Sequence, residues 1–452
     1  VTGMRAILAV VALVLAALAL PAAVGAPAVA GALDLYEPRS DGAPEPVEPA
    51  GPVEHDSSKP TAAVVVGERG AVVSDTLAPY EILARTGGFN VYTVASEMQP
   101  VPLTGGLDLL PDLTFAGLEE LLGGSADVVV VPAMPDVGQP TTKPVTDWLV
   151  RQENDGATLL SVCNGAAVLA SAGLLDGREA TAHWLRIDEW ESTYPDVDWV
   201  RGTRYVDDGD VVSTAGILSG IDGTLHVVAR TLGADAAAQA ARAIEWPHHD
   251  PDGASPIEQS QLEASDAVVV FNTAFGWDRP RIGVQLTDGV GEVELASVFD
   301  TYGQSLAVGT VAVGDGAVQS RHGLTFVPRA ETGAGLDRLV VPGTTGHEVE
   351  PGMVATHPHR EPGFAYDAVL QDLARTTDVA TARWTAKALE YPVDGLRLEG
   401  EAWPWTETVR PLALALLGVV LALAGYALAR RWRRRPRKAA ADPSGHREGM
   451  PR

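Results

Sequence analysis

The chain has one cysteine, Cys163, in the run Ser161-Val162-Cys163-Asn164-Gly165. It follows the apolar stretch Ala157-Thr158-Leu159-Leu160 and precedes the helix-forming Ala166-Ala167-Val168-Leu169-Ala170. A strand that turns sharply into a helix through a nucleophile flanked by small residues is a nucleophile elbow. Gly165 fits that geometry, because a side chain there would crowd a turn that holds its nucleophile in a strained backbone. The turn also aims the thiol at the positive end of the following helix, where backbone N–H groups favour the thiolate. One cysteine cannot make an intrachain disulfide, so the thiol is either an inert buried group or there for chemistry.

The elements that must position this thiol are legible around it. Ala63–Gly67, Val91–Ala95, Val128–Val131 and Thr158–Val162 are short and β-branched, as buried parallel strands are. Tyr80–Thr86, Thr142–Gln152 and Gly223–Leu232 read as intervening helices. That alternation predicts an α/β three-layer sandwich with a mostly parallel sheet. With 452 residues, 46% of them hydrophobic, the chain has material for two or three cores and is not a wholly disordered protein.

The two ends read as membrane signals. After Met4 and Arg5, the apolar run from Ala6 to Leu20 leads to Ala28-Val29-Ala30, the pattern of a signal peptide, or of an anchor if it is retained. Pro411 to Ala429 is apolar and long enough to cross a bilayer, and seven cations follow between Arg430 and Lys438. The positive-inside rule keeps that tail in the cytoplasm and puts the bulk of the chain outside, at the cell membrane. The formal charge is −26, although residues 430–452 carry nine Lys or Arg against two acids. The body is therefore more acidic still, which argues against a nucleic-acid partner.

Between the ends, residues 31–60 form a Pro-rich acidic linker, 61–247 a first α/β domain, 248–275 a second linker and 276–395 a second domain. A juxtamembrane segment (396–410), the span (411–429) and the basic tail (430–452) complete the order. Shifting the numbering by 217 lays Asp75 on Glu292, Val91–Ala95 on Val308–Ala312 and Pro111 on Pro328. A shorter shift aligns Val130-Val131-Pro132 with Val340-Val341-Pro342. Ala243-Ile244-Glu245-Trp246-Pro247 likewise matches Ala388-Leu389-Glu390-Tyr391-Pro392. The pattern is an internal duplication whose second copy lacks the cysteine elbow.

Residues 161–177, with Ala180-Thr181-Ala182-His183-Trp184, Arg204–Gly209, Ser213–Ile217 and Gly220-Ile221-Asp222, resemble the ThiJ/PfpI family of the class I glutamine amidotransferase-like superfamily. The likeness is to the branch of isonitrile hydratases and AraC-type regulator sensor domains, and it implies a flavodoxin-like fold over about residues 61–247. It also implies that Cys163 is the nucleophile, that His183 is the histidine downstream of it, and that Asp75 is the acid approaching the thiol from an early helix. A protonated carboxyl donating to sulfur would favour the thiolate, and such a pair titrates jointly. His183 has the alternative of a backbone-satisfied strand histidine, and Asp75 that of a helix cap. Ala133 and Met134 stand at the oxyanion-hole position, where many members have glycine after proline. Asn164 stands where isonitrile hydratases often have threonine, and its amide, with Gly165 beside it, would orient substrate or water.

These readings lead to a membrane-anchored, extracytoplasmic cysteine-dependent hydratase or hydrolase for a small electrophile, without a cofactor. The rival reading is a non-enzymatic ligand or redox sensor. The duplicated halves are expected to pack on each other, as the family's subunits often do, and a homo-oligomer is possible. His248-His249-Asp250, His347-Glu348 and His357-Pro358-His359 lack firm metal spacing, so no metal site is expected.

Overall fold

The structure is a computed structural model and describes residues 2–32, 53–250, 256–333, 335–343 and 354–433. Most of the Pro-rich linker, His347, Glu348 and the basic tail beyond Arg433 lie outside the described residues.

The first lobe is built on a seven-stranded sheet. Its strands run Tyr205–Asp208, Val211–Thr214, Thr158–Ser161, Val128–Val131, Thr61–Val65, Asn90–Ala95 and Leu113–Thr114 from edge to edge. All pairs are parallel except the first. The four central strands are apolar on both faces, because helices cover both sides of a parallel sheet. One face packs Phe115, Trp148 and Val168. The other packs Leu77, Ile82 and Leu225 into a core that continues into the second lobe.

The second lobe has a smaller parallel sheet ordered Gly309–Val313, Arg281–Gln285, Arg338–Val340 and Ala355–Thr356. Ile282 pairs with Thr310 on one side and Arg338 on the other, as Ala62 pairs with Val91 and Val128. The lobes meet through helices Val73–Arg85 and Glu292–Ser305, and each caps the other. Val72 has no side chain able to cap the first helix; Asp300 accepts from the Ser74 N–H at 3.0 Å instead. Glu81 in return accepts from the Val293 N–H at 2.6 Å. A hairpin from each lobe, Leu107–Leu110 and Thr325–Val327 at its centre, joins antiparallel into a shared four-stranded sheet.

Several expected boundaries shift. The first helix begins at Val73, not near Tyr80, with Pro79 inside it. Residues 248–275 are more than a linker, since they contain helix Ala267–Phe275. Asp75 is the third residue of its helix and Glu292 the first of its own. The reciprocal contacts therefore match Ser74 with Val293 and Glu81 with Asp300, because an ungapped shift cannot absorb loops of different length. Two helices, Thr2–Ala32 and Trp405–Arg433, contain stretches long and apolar enough to cross a membrane. They lie side by side, so close that a Cβ on Gly418 would come within 2.3 Å of the Ala16 carbonyl oxygen.

Candidate active site

Strand Thr158–Ser161 delivers Cys163 to the C-terminal edge of the large sheet, and helix Gly165–Ser171 leaves it. Cys163 has φ +57°, a left-handed conformation rare for a side chain with a Cβ. Holding it costs on the order of 1–3 kcal/mol, which the surrounding packing must supply. Gly165 makes the turn possible: a Cβ there would lie 2.0 Å from the Val131 carbonyl oxygen. The thiol is 3% exposed.

Asp75 enters from the interlobe helix and is fully buried. Its Oδ2 accepts from the Ala133 N–H at 3.1 Å, while Oδ1 is buried without a hydrogen-bond partner. Burial pushes the Asp75 carboxyl well above the ordinary carboxylate range, against the pull of the Ala133 N–H and with help from Asp300. Burial therefore favours its protonated form. Burial first, and second the charge that Asp75 carries when ionised, raise the thiol as well, and the Asn164 N–H opposes them. The expected bias toward thiolate from the helix end is outweighed by desolvation, so burial favours the protonated form of both Cys163 and Asp75.

The other expected site residues are placed as follows. The Asn164 side chain accepts from Trp190 Nε1 at 2.8 Å, which fixes its oxygen away from free rotation. Ala133 and Met134 are buried beside the elbow, and the Ala133 N–H is committed to Asp75. Both nitrogens of His183 are engaged by backbone: Nε2 donates to the Ala388 carbonyl at 2.8 Å, and Nδ1 accepts from the Leu185 N–H at 3.2 Å. The imidazole thus ties the two lobes together. His359 is likewise held by backbone, its Nδ1 accepting from the Gly343 N–H. Among the described residues, Glu81, Glu292 and His322 could converge on a metal ion. Their oxygens already accept from Arg85, the Val293 N–H, Ser320 and His322, which makes the group an ion-pair network.

Sequence reasoning missed Glu390, which comes from the second lobe. Its carboxylate accepts from Ser219 Oγ at 2.8 Å and acts on the Cys163 thiol. The signal was present in the match of Ala388–Pro392 to Ala243–Pro247, but that match reads as the end of a repeat and not as part of a site.

A mostly parallel α/β sheet with a cysteine elbow at its C-terminal edge and a buried acid held by the neighbouring Ala133 N–H defines a class, and comparison with known proteins agrees. The profile of the DJ-1/PfpI family matches residues 61–230. The chain is 33% identical over 186 residues to an isonitrile hydratase of Pseudomonas putida, covering 40% of this chain and 77% of that protein. It is 32% identical over 148 residues to the HTH-type transcriptional regulator CdhR of Pseudomonas aeruginosa, covering 33% of this chain and 42% of the regulator. A ThiJ/PfpI family protein from Pseudomonas syringae superposes with a TM-score of 0.38 at 24% identity, over 46% of this chain and 85% of that one. The chain belongs to the DJ-1/PfpI family.

Proposed function

We propose that the chain is a membrane-anchored enzyme whose Cys163 attacks the carbon of a small electrophile, and that hydration of an isonitrile-type carbon is the reaction the site fits best. The observation that carries this reading is Cys163 on its left-handed elbow together with a buried Asp75, whose burial favours the protonated acid and whose Oδ1 has no hydrogen-bond partner. Similarity to an isonitrile hydratase supports it. For an isonitrile R–N≡C, the Asp75 carboxyl gives its proton to the terminal carbon while the Cys163 sulfur bonds to the same carbon. The thiol proton passes to Asp75, leaving the thioimidate R–N=CH–S. Water then adds to that carbon with a proton going to nitrogen, the C–S bond breaks, and the sulfur regains a proton as the N-substituted formamide leaves. The Asn164 N–H steadies charge on sulfur throughout. Both groups start protonated, which is the state their burial favours.

His183 in this reading is a positioning residue, since both its nitrogens are in use. The second lobe is a duplicate that kept its scaffold and lost the elbow. Matching sheet registers, reciprocal helix caps and the shared left-handed turn at Glu245 (φ 55°) and Glu390 (φ 54°) support that descent. The two long apolar helices support anchoring, with the lobes outside the cytoplasm. The test is formamide production from small alkyl isonitriles by the full-length protein in detergent. Cys163→Ala should abolish turnover and Asp75→Asn should slow it by about 10²–10⁴-fold. Turnover that survives Cys163→Ala, or none in the folded wild type, would refute the enzyme.

One observation favours a sensor instead. The thiol is almost fully buried, as a sensor that admits only a very small oxidant needs. A peroxide reaching Cys163 would transfer one oxygen to sulfur, giving a sulfenic acid and the corresponding alcohol or water. Similarity to transcriptional regulators supports this second reading.

A further inference from the structure

A cavity of about 380 Å³ lies between the second lobe and the N-terminal end of helix Trp405–Arg433, within the roughly 300–1,000 Å³ of small-molecule sites. Its walls come from the first turns of that helix, from the loop after helix Ala267–Phe275 and from residues 376–378. The long helices fix its depth. Gly25 of the N-terminal helix packs on Ala274 and Phe275, and Arg410 Nη1 donates to the Phe275 carbonyl. Arg410 stands directly before the apolar run that ends at Ala429, so ~30 Å of helix, the thickness of a bilayer core, separates it from Arg430. The cavity therefore lies at the level of the lipid headgroups, where exposed aromatics such as Trp277 and Trp405 are favoured.

Charge on its walls is only partly balanced. Arg410 pairs with Asp278 and Glu407 and stacks over Trp277. Arg279 is different: its Nη2 donates to the Asn272 and Thr273 carbonyls, while its Nε is buried without a partner. Among the described residues it has no carboxylate partner. Asp378, 2% exposed, accepts from the Thr381 N–H and Oγ1, and among the described residues neither it nor Glu401 pairs with a cation. Burying a charge without a counter-charge is expensive, so one such cation and two carboxylates around a single opening fit a ligand that carries both signs.

We propose that this cavity binds the headgroup of a zwitterionic phospholipid of the extracytoplasmic leaflet, with its phosphate on Arg279 and its primary ammonium on Asp378 and Glu401. This rests on the reading of the two long helices as membrane spans. The assignment follows from donors and acceptors: the guanidinium offers N–H groups to phosphate oxygens, and an ammonium offers its own to carboxylates. A purely anionic headgroup would satisfy Arg279 and face two carboxylates, which repel it. Bound there, a lipid ties the second lobe to the membrane surface beside the spans.

The test titrates the delipidated full-length protein, in detergent, and reads binding by native mass spectrometry. The probes are dihexanoyl phosphatidylethanolamine, dihexanoyl phosphatidylglycerol, which keeps the phosphate but has no ammonium, and glycerophosphoethanolamine, the same headgroup without acyl chains. The first should bind about tenfold or more tighter than either of the others. Arg279→Gln and Asp378→Asn should each weaken it by about tenfold. Asparagine keeps the acceptor that caps helix Val379–Ala388, so that variant changes the charge and spares the helix. Equal binding of the two lipids by the wild type overturns the inference without any variant, as does an affinity untouched by both substitutions. Glycerophosphoethanolamine bound as tightly as the lipid would overturn the lipid as occupant. Release of the chain from membranes by alkaline carbonate would instead remove the anchor on which the inference stands, whatever the affinities.

Discussion

At the scale of single residues, the site depends on contacts that leave no room for substitution. Gly165→Ala would drive a methyl into the Val131 carbonyl oxygen, so the elbow must move or the strand must yield. The variant should lose about 4 kcal/mol or more of stability, read as a lowered Tm, together with Cys163 reactivity; a stable, reactive variant would contradict the elbow geometry. The thiol should also titrate late. Burial and the Asp75 charge oppose ionisation, so its alkylation midpoint should lie above the ordinary cysteine value of about 8.5. Asp75→Asn removes the negative charge that Asp75 would carry once it loses its own proton in the same titration, and should move that midpoint down. A wild-type midpoint below 8.5 would show that the Asn164 N–H and the helix end win after all. The elbow itself was readable, because an apolar run ending in Cys-x-Gly before an alanine-rich helix has few other uses. The upward push of burial on Cys163 and Asp75 was not, since it depends on how many atoms surround two groups distant in sequence.

At the scale of elements, the pair of interlobe helices carries a pH response. Asp300 caps Ser74 from across the interface, and burial pushes its carboxyl up to about 6 despite that bond and the one from Thr104. A carboxyl raised on folding binds its proton more tightly in the folded state. Stability should therefore rise as pH falls from about 6 toward 3.8, and the ionised group costs on the order of 3 kcal/mol above that window. Asp112 and Asp222 are raised to about 6 in the same way, so only a difference isolates Asp300. Melting temperatures measured from pH 7.5 to 5 should climb less steeply for Asp300→Asn than for the wild type; parallel curves would exclude this role. The central strands of this fold were legible from their β-branched runs, and so was the mostly parallel sheet; the order of the strands was not, because it is set by long-range pairing. The start of helix Val73–Arg85 was not, because Pro79 reads as a first-turn residue. Inside the helix its missing N–H leaves the Asp75 carbonyl without the usual donor. Helix Ala267–Phe275 was hidden beside a Pro- and Asp-rich stretch, and its packing against the N-terminal helix near Gly25 has no local signature.

At the scale of the whole molecule, one apolar core runs through both lobes, from Leu77 and Leu83 to Phe299, Tyr366 and Leu370. The lobes should unfold in a single transition, and Leu77→Ala, which empties space at their junction, should lower stability by about 2–5 kcal/mol in one cooperative step. Two separate transitions in calorimetry would contradict a shared core. Two apolar stretches on either side of residues 248–261 made two lobes readable, but not that the second lays Glu390 against Gly216 of the first, because reciprocal packing is a property of surfaces. The two apolar helices lead to the expectation that the full chain resists extraction from membranes by alkaline carbonate; release by carbonate would remove the anchor. The claim that joins these scales is that Cys163 forms a bond to the substrate's carbon. With one cysteine in the chain, intact-mass measurement after acid quench of the full-length protein with a small isonitrile reads that bond directly. A mass gain of one isonitrile, absent from Cys163→Ala, is the expected result; formamide released at an unchanged rate without any adduct, in the wild type and in Cys163→Ala alike, would contradict it.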